Sequence, residues 1–136
     1  MAKVGNFIHR CEWTGSQAIA TGNWNNGGAG LQLQLNGGAA VVAAKLSALY
    51  IYATGAGSTT SIIAKVTRDS GGDEAVIPDT TATTALGKTT ATDGSCVISI
   101  GIDYVSTTTH GDSLYVYLKA VGAGATVTNV VLTWSE

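Results

Sequence analysis

The fold is decided by residues 112–134, Asp112-Ser113-Leu114-Tyr115-Val116-Tyr117-Leu118-Lys119-Ala120-Val121-Gly122-Ala123-Gly124-Ala125-Thr126-Val127-Thr128-Asn129-Val130-Val131-Leu132-Thr133-Trp134. Leu114, Val116 and Leu118 alternate with Tyr115, Tyr117 and Lys119. After the Gly122–Ala125 turn, Thr128, Val130, Leu132 and Trp134 alternate with Asn129, Val131 and Thr133. A period of two is the mark of a strand with two unlike faces.

Working outward, the same period recurs. Cys96, Ile98, Ile100 and Ile102 alternate with Val97, Ser99, Gly101 and Asp103, and Ile62, Ala64 and Val66 with Ile63, Lys65 and Thr67. In 45–53, Leu46, Ala48, Tyr50 and Tyr52 fall on one face and Leu49 and Ile51 on the other, so this strand is expected to be covered on both sides. Leu31, Leu33 and Leu35 alternate with Gln32, Gln34 and Asn36; Phe7–Trp13 and Ser16–Thr21 read as two further runs. Between them, Gly22–Gly30 is a loop, because Asn and Gly tolerate positive φ. Ala39–Ala44 is ambiguous between a turn of helix and strand. Asp69–Asp73 reads as a hairpin turn, Pro78 confines Ala75–Ile77 to an edge or an end, and Asp79–Asp93 reads as a long connection with one weak strand. About eight or nine short strands at this spacing imply an all-β, antiparallel sandwich of jelly-roll or Greek-key type.

Composition narrows the class. The chain has 136 residues, of which 45% are hydrophobic and only 12% charged, with 18 glycines and one proline. The charged fraction is about half the usual value. The length fits one domain, 1–136, with residues 1–40 supplying N-terminal strands, the Gly/Asn loop and a candidate contact segment. Seven Lys+Arg against nine Asp+Glu give a net charge of −2, which argues against a nucleic-acid partner. No apolar run approaches the roughly 18–20 residues of a membrane span, and no secretory h-region is present. Met1 and the stop at Glu136 read as a complete gene product. Cys11 and Cys96 form no CxxC and are expected to be reduced, buried thiols; a disulfide between them is the alternative if the first and a late strand face each other, which the sequence does not place.

Candidate chemistry is sparse. Gly27-Gly28-Ala29-Gly30 opens a strand and not a helix, so it lacks the helix N-terminus of a phosphate cradle. Asp69, Asp73 and Glu74 in one turn are the single weak metal candidate, for calcium, but their spacing is not that of an EF-hand. His9 and Cys11 share a strand face, yet Cys96 and His110 are far away, so zinc is disfavoured. His110, Asp112 and Ser113 lie too close in sequence to form a catalytic triad. No cofactor is expected, and the chain reads as a non-enzyme. Trp24 in its polar loop, and Tyr115 and Tyr117 on one strand face, are contact candidates, because Tyr and Trp are enriched at interfaces. Phe7 and Trp13 join them from the N-terminal segment.

Residues 112–119, the closing run 126–134, and Arg68–Asp73 leading into Asp79–Thr83 resemble small β-sandwich virion proteins of tailed bacteriophages, especially capsid decoration (cement) proteins; the likeness covers roughly residues 45–136. The resemblance implies a structural protein made in the host cytoplasm that joins the capsid exterior. It implies a homo-oligomer, a trimer more readily than a dimer, bound to the major capsid protein without catalysis or cofactor. The alternative is a carbohydrate-binding sandwich, a lectin or a phage fibre head, with Trp24, Asn23, Asn25 and Asn26 as the sugar platform.

Overall fold

The computed structural model describes residues 8–35, 43–77, 83–105 and 113–135. They form ten strands: β1 (Ile8–Ile19), β2 (Leu31–Gln34), β3 (Ala43–Thr54), β4 (Ser61–Thr67), β5 (Ala75–Ile77), β6 (Thr83–Ala85), β7 (Gly87–Lys88), β8 (Gly94–Val105), β9 (Ser113–Val121) and β10 (Ala125–Ser135). One sheet, A, has the order β1-β10-β3-β8-β7. The other, B, has the order β2-β9-β4-β5, with β6 also on β4.

Every pairing is antiparallel. β1 pairs with β10, β2 with β9, β3 with β8, and β4 with β5 and β6, so the chain winds as nested hairpins across two sheets, the jelly-roll arrangement. β5 and β6 together act as one interrupted strand on one edge of β4: Val66 faces Ile77 and Ser61 faces Ala85. The chain then changes sheets at Leu86. Its N–H donates to the Thr60 carbonyl at 3.0 Å, while Gly87 already faces Ser95 of sheet A.

The core lies where the inner faces meet. Leu46, Leu49, Ile51, Val130 and Leu132 of sheet A pack with Leu33, Ile62, Val66, Leu114, Val116 and Leu118 of sheet B, all essentially inaccessible to solvent. Each such side chain gains about 1.5–3 kcal/mol from burial.

Three details depart from the sequence reading: a fusion, a bulge and a divided connection. Within the described residues the two N-terminal runs are one strand, β1 (Ile8–Ile19), continuous over an irregularity between Thr14 and Gln17. In β3 the register shifts between Leu46 and Ala48, so Leu46 turns inward with Leu49 and Ile51 and not outward with Tyr50 and Tyr52. An extra residue in one strand reverses the faces beyond it, which a strict period of two cannot show. The connection 79–93 contains two short strands, β6 and β7. Pro78 and most of the Ala39–Ala44 stretch lie outside the described residues, although Ala43 and Ala44 open β3.

Candidate functional site

Among the described residues, the informative surfaces are the outer faces of the two sheets. They differ sharply.

Sheet B carries Lys65 and Ile63 of β4, Tyr115, Tyr117 and Lys119 of β9, and Gln32 of β2 outward, between the buried residues of each strand. Loops of the same chain fold over this face. The turn Trp24–Gly27 places Asn25, Asn26 and Gly27 at φ of 49°, 52° and 81°. Asn25 is fully buried. Its Nδ2 donates to the carbonyls of Ala29 (2.8 Å) and Val116 (3.1 Å), and its Oδ1 accepts from the N–H of Leu118 at 2.8 Å. β2 pairs with β9 only as far as Val116. The Asn25 amide therefore continues the ladder where no strand backbone reaches, and the Ala20 carbonyl, accepting from Ala120 at 2.9 Å, continues it further. Side-chain amides suit this because they carry a donor and an acceptor, like a peptide group.

Trp24, held beside Asn25, is half-buried. The ammonium of Lys119 lies 4.3 Å and that of Lys65 4.8 Å from its ring centroid. Both are cation–π distances. Lys65 also lies 5.1 Å from the Tyr117 ring. Tyr117 is only 7% exposed although it points away from the core. Gly30 and Gly72 lie against its ring so closely that a Cβ at either position would come within 2.8 Å and 3.0 Å of it. Its hydroxyl donates to the Ser70 carbonyl. Burial raises the Tyr117 pKa, with Asp69 and Asp73 adding to the effect against a backbone hydrogen bond at Gly30.

The acidic turn is used structurally. The Asp69 carboxylate accepts from the backbone N–H of Asp73 (3.1 Å to each oxygen) and of Glu74 (2.7 Å), and the Asp69 carbonyl accepts from Thr67 Oγ1 at 2.8 Å. Asp69, Asp73 and Glu74 thus close a loop around Asp69, and among the described residues no three His, Cys, Asp or Glu side chains gather as a metal site would require.

Sheet A presents a different outer face. The registers place Glu12, Val131, Tyr50 and Val97 in one row across β1, β10, β3 and β8. Thr14, Asn129, Tyr52 and Ser95 form the row on one side, and Arg10, Thr133, Ala48 and Ser99 the row on the other. Tyr52 and Val97 are 44% and 48% exposed, the large apolar side chains most open to solvent among the described residues. A shallow depression between Arg10, Tyr50, Tyr52, Val131 and Thr133 completes the surface. Charge enters these rows only at β1, where Arg10 and Glu12 form an exposed ion pair at 3.3 Å.

Of the contact candidates expected from sequence, Trp13 is half-buried against the core edge and lies over Gly15, Trp24 is held by two lysines, and Tyr117 is enclosed. Tyr115 remains half-buried at the surface, and Phe7 lies outside the described residues. The sugar platform loses Asn25, whose amide is committed to β9. The outward row of Tyr50, Tyr52 and Val97 was not apparent as a surface from sequence. The signal was present in β3, whose two apolar faces call for cover on both sides, while the described residues cover only one.

Cys96 is buried on β8, and burial pushes its thiol up to about 11. Cys11 stands on β1, with β10 and β3 between it and β8. Strands lie about 4.8 Å apart, so the two thiols are too distant for a disulfide, and neither forms one. Comparison with protein families and with curated proteins finds no match to the chain.

Proposed function

We propose that this chain is a non-enzymatic structural protein of a phage virion, a decoration protein that self-associates and binds the outer surface of the major capsid protein. The observation that supports the reading is the outer face of sheet A. β3 and β8 present Tyr52 and Val97 to solvent beside half-buried Tyr50, with charge kept to the margins, at Arg10 and Glu12 of β1 and where Lys45 of β3 pairs with Asp103 of β8. Exposed apolar surface on a flat, weakly charged sheet favours association. A rigid sandwich loses little conformational freedom on docking, and many copies on a lattice reinforce a weak single contact through effective concentration.

The test is co-sedimentation of purified protein with expanded, undecorated capsids. Association at micromolar concentration is expected, and Tyr52→Glu with Val97→Glu should abolish it while leaving circular dichroism unchanged. Absence of any association of the unaltered protein overturns the reading.

A second reading, a carbohydrate-binding sandwich, rests on Trp24 and its two lysines, a combination of stacking surface and positive charge. A glycan array distinguishes it: signal from the unaltered protein that disappears in Trp24→Ala supports a sugar site, and a blank array removes it.

A further inference from the structure

We infer that two copies of this chain pair through the outer edges of β1, antiparallel about a two-fold axis at Cys11, joining two A sheets into one. The inference rests on the self-association proposed above and assigns its contact surface.

β1 ends sheet A, and among the described residues no strand is hydrogen-bonded to its outer edge, although Gln32 and Gln34 of β2 share a groove with Cys11 and Glu12. From Ile8 to Thr14 its register with β10 is unbroken, because the irregularity begins only after Thr14. That stretch offers a regular row of backbone donors and acceptors, the usual template for a further strand. The other long edge, β8 beyond Ser95, is less suited. Its register with β3 shifts between Leu46 and Ala48, Gly101 sits at φ +66°, and its charged residue is Asp103, which would meet acid or neutral groups in a second copy.

Charge selects the register. In an antiparallel pair about a two-fold axis, one residue faces its own copy and its neighbours face each other reciprocally. An axis at Arg10 sets arginine against arginine, and an axis at Glu12 sets glutamate against glutamate. An axis at Cys11 sets Arg10 against the second copy's glutamate at 12, twice. Opposite charges directly across strands stabilise the pair, and like charges destabilise it. Arg10 and Glu12 are both exposed, on the same face as Tyr50 and Val131, so the pairing also makes the two apolar outer faces continuous. The arrangement is two-fold, in contrast to the trimer that the family resemblance implies.

Sedimentation equilibrium of the unaltered protein, Arg10→Glu, Glu12→Arg and the double swap R10E/E12R tests it without capsids. The unaltered chain is expected to form dimers. Either single reversal turns two attractive contacts repulsive and should weaken the dimer by about tenfold or more, while the double swap should return it to within about threefold. A second measurement uses Cys96→Ser protein oxidised with copper-phenanthroline: a disulfide-linked dimer through Cys11 is expected, because directly opposed residues have Cβ atoms about 4.5–5.5 Å apart. A monomer, a trimer, or a double swap as weak as the single reversals overturns the edge pairing. A monomer that still sediments with capsids overturns it, and the self-association with it, while leaving the proposed capsid binding standing.

Discussion

The two outer faces of this sandwich carry the same residue type at their centres and treat it in opposite ways. On sheet B, Tyr117 is roofed by Gly30 and Gly72 and tied to Ser70. On sheet A, Tyr52 stands 44% exposed. Both are tyrosines that alternate out of a strand whose other side is core. The difference comes from the loops: the Asn25 turn and the Asp69 turn fold back over sheet B, while among the described residues no loop does so over sheet A. An aromatic residue that points away from the core is therefore not by itself a contact residue. What matters is whether the chain supplies its own cover.

The largest expected effect tests what holds the cover in place. Asn25→Ala strips partners from the Val116 carbonyl and the Leu118 N–H, and leaves a left-handed backbone without the residue that tolerates it. The loss should be about 4 kcal/mol of unfolding free energy in urea titration. A loss under about 1 kcal/mol would mean that the Asn25 turn is not what seals sheet B.

Exchanging the two tyrosines sharpens the contrast. Tyr117→Ala should cost about 3 kcal/mol, as large aromatic deletions do. Tyr52→Ala should change stability by about 0.5 kcal/mol or less, yet weaken capsid co-sedimentation. Equal stability losses would erase the distinction between the faces.

The inner side of sheet A supplies a smaller, pH-dependent effect. Burial raises the Cys96 thiol in the folded chain from 9.0 to about 11. A group whose folded value is raised contributes its full stabilisation below the unfolded value and loses it as pH rises through the folded one. The window is therefore pH 9 to about 11, and the loss is about 2–3 kcal/mol. Cys96→Ala should remove this part of the alkaline decline, read as the difference between the two proteins' unfolding curves from pH 8 to pH 11.

Much of the fold was legible because burial imposes period two wherever a strand has one wet face. Leu114–Lys119 and Val130–Trp134 obey it, as do Leu31–Leu35 and Ile62–Val66, while a bulge at Thr128 puts Val127 and Val130 both in the core. It failed at Ser47, where a bulge turns Leu46 inward, since an inserted residue changes phase without changing composition. The site was less legible. Asn25 sits in a run of Asn and Gly that looks interchangeable, and only its position opposite Val116 and Leu118 sets it apart. Tyr117 looked exposed because strand alternation reports direction and not the loops that arrive later in space. In sequence, Tyr50 and Tyr52 mark one face of a doubly apolar strand, but the missing cover is a property of three dimensions.

The nested pairing has a kinetic consequence. β1 finds its partner in β10, so the chain must close its longest loop to complete sheet A. Closing distant segments delays folding, and β-sandwiches dominated by such pairings form in milliseconds to seconds, against microseconds for local folds. During synthesis at about 5–20 residues per second, β1 emerges several seconds before β10 exists. The first of these ten strands to be made is thus the last to be secured, and its β10-facing edge stays open until β10 has been synthesised.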